Sequence, residues 1–301
     1  MSAENAAGFR AQAPRLRQAA EALSQRLSAL LVEAERVAAT VAPGVHGRRR
    51  TGMGETFWQF RQYQAGDAAN AIDWRQSARS RHLFVREQEW EAAESVWIWC
   101  DLSPSMTFRS NPNLPLKWER AALLTLALTA LLVRGGERVA LLGSGERPAT
   151  GRYGIEAVTR SLAQAAAQRA GLAPLPSLPR HARLMLLSDF LVPIDRLRER
   201  FGQFGALGAR AGLMQILDPA EELLPYEGRV MFEGTEQEGN ALIDHVGGIR
   251  SRYATLLQAH RESLAGIAGR QGWRFTSHRT DRTAELALLA LVAILAPRMV
   301  T

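Results

Sequence analysis

Two short apolar runs that each end at an aspartate constrain the fold of this chain more than any other feature. The first run, residues 96–100, is followed directly by Asp101, and the second, residues 184–187, is followed by Ser188 and Asp189. Apolar runs of this length, bounded by turn residues, are typical of buried strands. Because open α/β sheets bind ligands at the carboxyl ends of their strands, both aspartates are expected at one functional edge.

Strand and helix patterns alternate from residue 95 to the end of the chain. Further strands are predicted at residues 138–142, 211–217 and 274–277, with a hairpin at 228–239. Helices are predicted at residues 118–133, 155–169, 194–207, 249–269 and 283–296. This alternation predicts βαβ units, and therefore an α/β fold with a mainly parallel sheet flanked by helices.

Two further segments precede this α/β domain, which spans residues 95–301. Residues 1–43 carry leucines at helical spacing, which predicts an amphipathic N-terminal helix or helix pair that either packs on the core or binds a partner. Residues 44–94 are rich in glycine, arginine and aromatic residues and predict a small β-rich appended subdomain.

The loop that follows the first apolar run carries a candidate metal site. Asp101, Ser103 and Ser105 place one carboxylate and two hydroxyls at alternate positions, where their oxygens can point the same way. Such hard oxygen ligands suit Mg²⁺ or Mn²⁺. The alternative is an ordinary turn, because Asp and Ser are common turn formers. The second aspartate loop, at Asp189, favours the metal site.

An aspartate loop, a threonine loop and a second aspartate loop follow one another along the chain. This order resembles the von Willebrand factor type A fold, a Rossmann-like architecture, and its metal-ion-dependent adhesion site. The resemblance implies a metal site formed by Asp101, Ser103, Ser105, Asp189 and Thr150, with Thr107 and Thr159 as alternatives to Thr150. In such a site the ion keeps an open position that a partner's carboxylate completes.

A second group of motifs lies upstream of Asp101. It consists of G-R-R-R-T-G-M-G-E-T-F at residues 47–57, R-Q-Y at 61–63, G-D at 66–67, I-D-W at 72–74 and S-A-R at 77–79. This order resembles the bacterial domain-of-unknown-function family fifty-eight over residues 45–189. The resemblance implies a partner-binding or scaffolding role for Arg48, Arg49, Arg50, Glu55, Arg61, Tyr63, Asp67, Asp73, Trp74 and Arg79.

The same resemblance implies a partner. Proteins of that family are commonly encoded beside MoxR-type AAA+ ATPases. The chain is therefore expected to be an accessory or adaptor protein, without enzymatic activity of its own, that binds such an ATPase or its client. Its role would be chaperone-like assembly or activation of client proteins.

Two alternative functions follow from the residues themselves. The net charge of +7 and the arginine/aromatic segment 47–86 would suit a nucleic-acid-binding module, although Asp67 and Asp73 favour internal pairing of those arginines. Asp101 and Asp189 could also activate a metal-bound water in a hydrolase, but the ligand set lacks a general base. The single lysine, Lys117, is not preceded by glycine, which excludes a P-loop ATPase.

The remaining features predict a cytoplasmic protein. One cysteine, Cys100, permits no intramolecular disulfide and suits a reducing compartment, where it is expected to be an inert core residue. The first residues lack the apolar stretch of a signal peptide. The longest apolar run, residues 286–296, is shorter than the ~20 residues that a transmembrane helix needs.

Overall fold

The structure, a computed structural model of the 301-residue chain, describes residues 29–42, 57–63, 72–80, 82–88, 94–166, 172–235 and 239–295. Contacts divide the chain into two compact units, Arg48–Glu94 and the remainder. The part of the predicted N-terminal helix before residue 29 lies outside the described residues.

The helices and strands follow the chain in an alternating order after residue 95. The first elements are α1 (described over residues 29–42), β1 (Phe57–Gln62), α2 (Trp74–Ser77), β2 (Phe84–Gln88), β3 (Ser95–Cys100), a 3₁₀-helix (Pro104–Thr107), α3 (Lys117–Arg134), β4 (Arg138–Leu141) and α4 (Gly151–Ala165). They continue with β5 (Arg183–Ser188), α5 (Ile194–Ala206), β6 (Arg210–Leu217), α6 (Pro219–Leu223), β7 (Val230–Glu233), β8 (Asn240–Ile243), α7 (Val246–Arg270), β9 (Arg274–Arg279) and α8 (Ala284–Leu295).

The larger unit is built on one sheet of five parallel strands in the order β4-β3-β5-β6-β9. The predicted α/β class, with a mainly parallel sheet flanked by helices, is confirmed. All five strands were predicted because a strand covered on both faces reads as a continuous apolar run rather than an alternating one. The strand order in the sheet places β3, β5 and β6 side by side, so the segments that follow them meet at one edge.

Helices cover both faces of this sheet. Successive residues of a strand point to opposite faces of the sheet. In β3, Ile98 points to one face and Trp99 to the other. The Ile98 face packs against α1, α3, α4 and α8, while the Trp99 face packs against α5 and α7. Cys100 is buried as well, and the loss of solvent around its thiol raises the pKa of that thiol to about 12.

The described part of the N-terminal helix belongs to the larger unit. Ala34, Val37 and Val41 recur at helical spacing and are buried in the same core as α3 and α8. Of the two interpretations of this amphipathic pattern, core packing therefore describes these residues. No helix within the described ranges is both long enough and apolar enough to cross a membrane.

The close approach of α8 to the sheet depends on Gly212 in β6. A methyl group added at Gly212 would lie 2.2 Å from Ile294 Cγ2 and 2.9 Å from Met185 Cε. We expect Gly212→Ala to lower the free energy of unfolding by about 1–2 kcal/mol, because overpacking forces neighbouring side chains to shift. Urea unfolding measures the change. The control is Gly202→Ala in α5, where the methyl group meets nothing within 4 Å and unfolding free energy should not fall. Equal destabilisation of both variants would contradict the packing argument.

The smaller unit and the hairpin are antiparallel. Strands β1 and β2 pair with Phe60 opposite Arg86. The Ser77 hydroxyl donates to the Asp73 carbonyl at 2.7 Å and accepts from the Phe84 amide at 2.9 Å, which ties α2 to β2. In the larger unit, the predicted hairpin is formed by β7 and β8 and extends four residues further than predicted, to Ile243.

Candidate functional site

The loop that follows β3 folds around the carboxylate of Asp101. One carboxylate oxygen, Oδ1, accepts the Ser103 backbone amide at 2.9 Å. The Ser103 and Ser105 hydroxyls share a hydrogen bond, with their oxygens 3.1 Å apart, because Pro104 starts a 3₁₀-helix that brings the two residues to one side. The buried Met106 anchors that helix. The three predicted ligands of the first motif are therefore together.

Asp101 is also bonded to the loop that follows β5. Its second oxygen, Oδ2, accepts the Ser188 hydroxyl at 2.5 Å, and Ser188 Oγ accepts the Phe190 amide at 2.9 Å. Asp101 is only 1% exposed. Burial, and then the negative charge of Asp189, raise the pKa of Asp101 to about 6, although its hydrogen bonds with Ser188 and Ser103 act in the opposite direction.

The second aspartate, Asp189, is held through both its backbone carbonyl and its carboxylate. Its carbonyl accepts the Gln215 side chain from β6 at 2.9 Å, and its Oδ1 accepts the Leu191 amide at 3.1 Å. The next residue, Phe190, has φ +51°, a left-handed conformation that costs free energy for a bulky residue. His260 in α7 contacts the Phe190 carbonyl at 2.8 Å and so helps to hold this turn.

A buried lysine completes the group. Lys117 Nζ donates to Asp189 Oδ2 at 2.9 Å and to Glu221 Oε1 at 2.5 Å, and the Lys117 side chain is fully buried. Burial alone would lower the pKa of Lys117, but the two carboxylates outweigh it and raise that pKa. In the sequence, this residue served only to exclude a P-loop, and its contacts with Asp189 and Glu221 were not predicted. The available signal was its rarity, since one lysine stands among 37 basic residues.

Glu221 reaches Lys117 from α6, the short helix that follows β6. Asp218 caps α6 by accepting the Ala220 amide at 2.8 Å, and its other oxygen accepts the Ser110 amide at 3.0 Å. Glu221 in turn accepts the Asp218 amide at 2.9 Å. The loops after β3, β5 and β6 are thus connected by carboxylates, as expected where parallel strands end together.

The structure does not bring Thr150 to this edge. The chain turns back after β4, so that Ala149 pairs with Val139 in an antiparallel bridge. Val139 is level with Val96, five residues before Asp101, which is about 16 Å along a strand. The structure therefore does not place Thr150 beside the Asp101 loop. The hydroxyls of the two alternatives, Thr107 and Thr159, donate to backbone carbonyls of their own helical turns.

The oxygen atoms of Asp101, Ser103 and Ser105 suit a small divalent cation as ligands. Neighbouring ligands of an octahedral Mg²⁺ with bonds of about 2.1 Å lie about 3.0 Å apart, close to the 3.1 Å between the Ser103 and Ser105 hydroxyls. Within the described ranges, no three His, Cys, Asp or Glu side chains are grouped as metal ligands. An ion here would therefore be bound by Asp101 and two hydroxyls, with water in its other positions.

The residues with a predicted partner-binding or scaffolding role belong to the smaller unit. Tyr63 bonds through its amide to the Leu83 carbonyl, Asp73 to Phe84, and the Trp74 side chain is 65% exposed. Arg79 is also exposed. Their role, and that of Arg61 in β1, stays a prediction. The other members of the set lie outside the described residues: Arg48, Arg49, Arg50, Glu55 and Asp67.

The fold and the site define an α/β protein with charged and hydroxyl side chains at the carboxyl edge of a parallel sheet. Residues 59–263 match the family described as Protein of unknown function DUF58, and the chain belongs to that family. The predicted membership of domain-of-unknown-function family fifty-eight is therefore confirmed.

Known relatives include uncharacterized proteins. The chain is 29% identical over 248 residues to one from Mycobacterium tuberculosis and to one from Mycobacterium bovis, and each match covers 77% of this chain and 76% of the relative. Among solved structures, the conserved hypothetical protein BatB from Bacteroides thetaiotaomicron matches with a TM-score of 0.35 and 14% identity, over 67% of this chain and 98% of BatB.

Proposed function

We propose that this protein is a metal-dependent protein-interaction module built on a von Willebrand factor type A-like fold. The observation that carries the proposal is the pair of hydroxyls of Ser103 and Ser105, 3.1 Å apart beside the Asp101 carboxylate. Mg²⁺ or Mn²⁺ would be held by these three residues, and Asp189 would act through water because Lys117 occupies its Oδ2.

Binding, rather than catalysis, suits the residues around this loop. A bound ion supplies positive charge and an open coordination position. Asp101 positions the ion, while Ser188 fixes the direction of the Asp101 carboxylate by donating to Oδ2. The nearby His260 contacts the Phe190 carbonyl and so supports the backbone instead of serving as a general base. An aspartate or glutamate of a partner would complete the site.

The partner in this proposal is a MoxR-type AAA+ ATPase or one of its clients, and the protein would act in chaperone-like assembly or activation. This choice of partner rests on the resemblance to the family whose members are encoded beside such ATPases. It also rests on the chemistry of the site, since a bound cation would bind an acidic loop. The direct test measures binding of the purified ATPase with Mg²⁺ and with EDTA. Binding that is equally strong in EDTA would contradict a metal-dependent interaction.

The ion site itself is tested by thermal unfolding. We expect metal-stripped protein to gain stability when Mn²⁺ is added, by about 2.7 kcal/mol at a concentration 100 times the dissociation constant, because the ion binds only the folded state. Asp101→Ala should remove that gain. The control is Asp195→Ala in α5, an exposed aspartate paired with Arg198, which should keep it. The same gain in Asp101→Ala and in wild type would rule out this loop as the ion site.

A further inference from the structure

Lys117 has a position and environment that the proposed function does not explain. We infer that its ammonium group is a built-in cation that engages Asp189, and thereby keeps divalent-ion binding at Asp101 weak until a partner's carboxylate completes the site. The inference rests on the proposed metal-dependent interaction and deepens it, because it makes ion binding and partner binding cooperative.

The Lys117 ammonium lies between two carboxylates, as a metal ion would. Asp189 Oδ2 lies at 2.9 Å and Glu221 Oε1 at 2.5 Å from Nζ, and the side chains of Asp189 and Glu221 are 3% and 18% exposed. A buried charge is tolerated only with such partners, because its loss of hydration is costly. Asp189 directly follows β5 and Glu221 lies in α6, just after β6, so Lys117 neutralises the edge rather than its own helix.

Helix stability does not account for a lysine at this position. Lys117 is the first residue of α3, where the positive end of the helix dipole disfavours a cation. Glu119 in the same turn is the residue that complements the dipole, and its side chain accepts the Leu116 amide. The placement of Lys117 is therefore explained by Asp189 and Glu221.

The identity of the side chain also matters. All other basic residues among the 37 are arginines, whose planar guanidinium binds carboxylates in a fork. An ammonium is a compact point charge that contacts two acids from different loops, as a small metal ion does. Asp189 differs from Asp101 in that one of its oxygens, Oδ2, contacts a cation, Lys117, while Oδ1 accepts the Leu191 amide.

The charge of this group sets the affinity expected for an ion. With Lys117 in place, only Asp101, Ser103 and Ser105 are offered as direct protein ligands. Without it, Asp189 and Glu221 would leave uncompensated negative charge at the same edge, and negative charge near the site attracts a divalent cation. A partner's carboxylate supplies the missing ligand in the wild type. The ion then stays bound as long as the partner does.

The experiment measures Mn²⁺ binding by calorimetry in the absence of any partner. We expect Lys117→Met to bind Mn²⁺ about tenfold more tightly than wild type, because Asp189 and Glu221 lose the cation that neutralises them. The matched control is Arg279→Met, which removes another largely buried cation, paired with Asp281, and should change the affinity by less than about threefold. A tenfold gain in both variants would overturn the inference, since any lost positive charge would then suffice.

A second variant keeps the test valid if Lys117→Met does not fold. The double variant Lys117→Met with Glu221→Gln leaves a single unpaired carboxylate, Asp189, and should still bind Mn²⁺ more tightly than wild type. Wild-type affinity in this folded variant would overturn the inference, while the proposed function stands if Asp101→Ala still abolishes wild-type binding. Absence of Mn²⁺ binding in wild type and variants alike would overturn both.

Discussion

Replacement of Asp101 by asparagine is expected to raise the stability of the folded protein at pH 8, although it removes a candidate ligand. Folding raises the pKa of Asp101 from 3.8 to about 6, mainly through burial. Above pH 6 the folded protein must therefore carry a charge that is disfavoured by about 3 kcal/mol. An asparagine carries no charge, and its amide can still accept the Ser103 N–H and donate to Ser188 Oγ. We expect a gain of about 2 kcal/mol in metal-free buffer.

The pH dependence distinguishes this explanation from better packing. A raised pKa favours the folded state below pH 4, and that contribution is lost as the pH rises through 6, so the advantage of Asp101→Asn should grow between pH 4 and 6. His278 titrates in the same range, because burial lowers its pKa to about 4. Because wild type and Asp101→Asn both contain His278, its contribution cancels in the difference between their free energies of unfolding. Urea unfolding between pH 4 and 8 measures it, and an advantage independent of pH would contradict the buried charge.

The same comparison bears on the function. A carboxylate that lowers stability in the absence of an ion is typical of a binding site, because function rather than folding then accounts for it. A bound cation would relieve the repulsion between Asp101 and Asp189. Added Mn²⁺ is therefore expected to reverse the order of stability, with wild type above Asp101→Asn. The reversal would appear in the same unfolding experiment.

The sheet edge could be predicted from sequence because its signals are local. Each strand is a continuous apolar run, and a parallel sheet necessarily brings the ends of adjacent strands together. Asp101 and Asp189 follow such runs directly. The hydroxyls of Ser103 and Ser105 lie two and four residues beyond Asp101, so a single turn suffices to place them.

The residues that were missed depend on contacts between distant parts of the chain. Lys117 is 72 residues from Asp189 and 104 residues from Glu221, and no local pattern connects them. Ser188 is 87 residues from Asp101. The position of Thr150 could not be predicted for a similar reason. Its position depends on the direction in which the chain leaves β4, and the antiparallel bridge at Ala149 reverses that direction.

The second large effect is expected beneath the Asp189 loop, at Phe201. This buried ring of α5 packs edge-on against Phe190, with centroids 6.1 Å apart, and against Trp273 at 5.7 Å. Phe190 is the residue held at φ +51°, and packing is what offsets the strain of that conformation. We expect Phe201→Ala to lower the free energy of unfolding by about 3–5 kcal/mol, as measured by urea unfolding.

The matched control is Phe204→Ala in the same helix and the same core cluster, because Phe204 is equally buried. Its loss should cost a similar unfolding free energy. The two variants should differ in hydrogen exchange at the amides of Phe190 and Leu191, which bond to Ser188 and Asp189. Loop amides exchange by local opening, so Phe201→Ala alone should speed their exchange and weaken Mn²⁺ binding. Equal exchange in both variants would mean that the loop is held by Gln215 and His260 without support from the ring. The strained turn would then owe its position to hydrogen bonds from β6 and α7 rather than to the core.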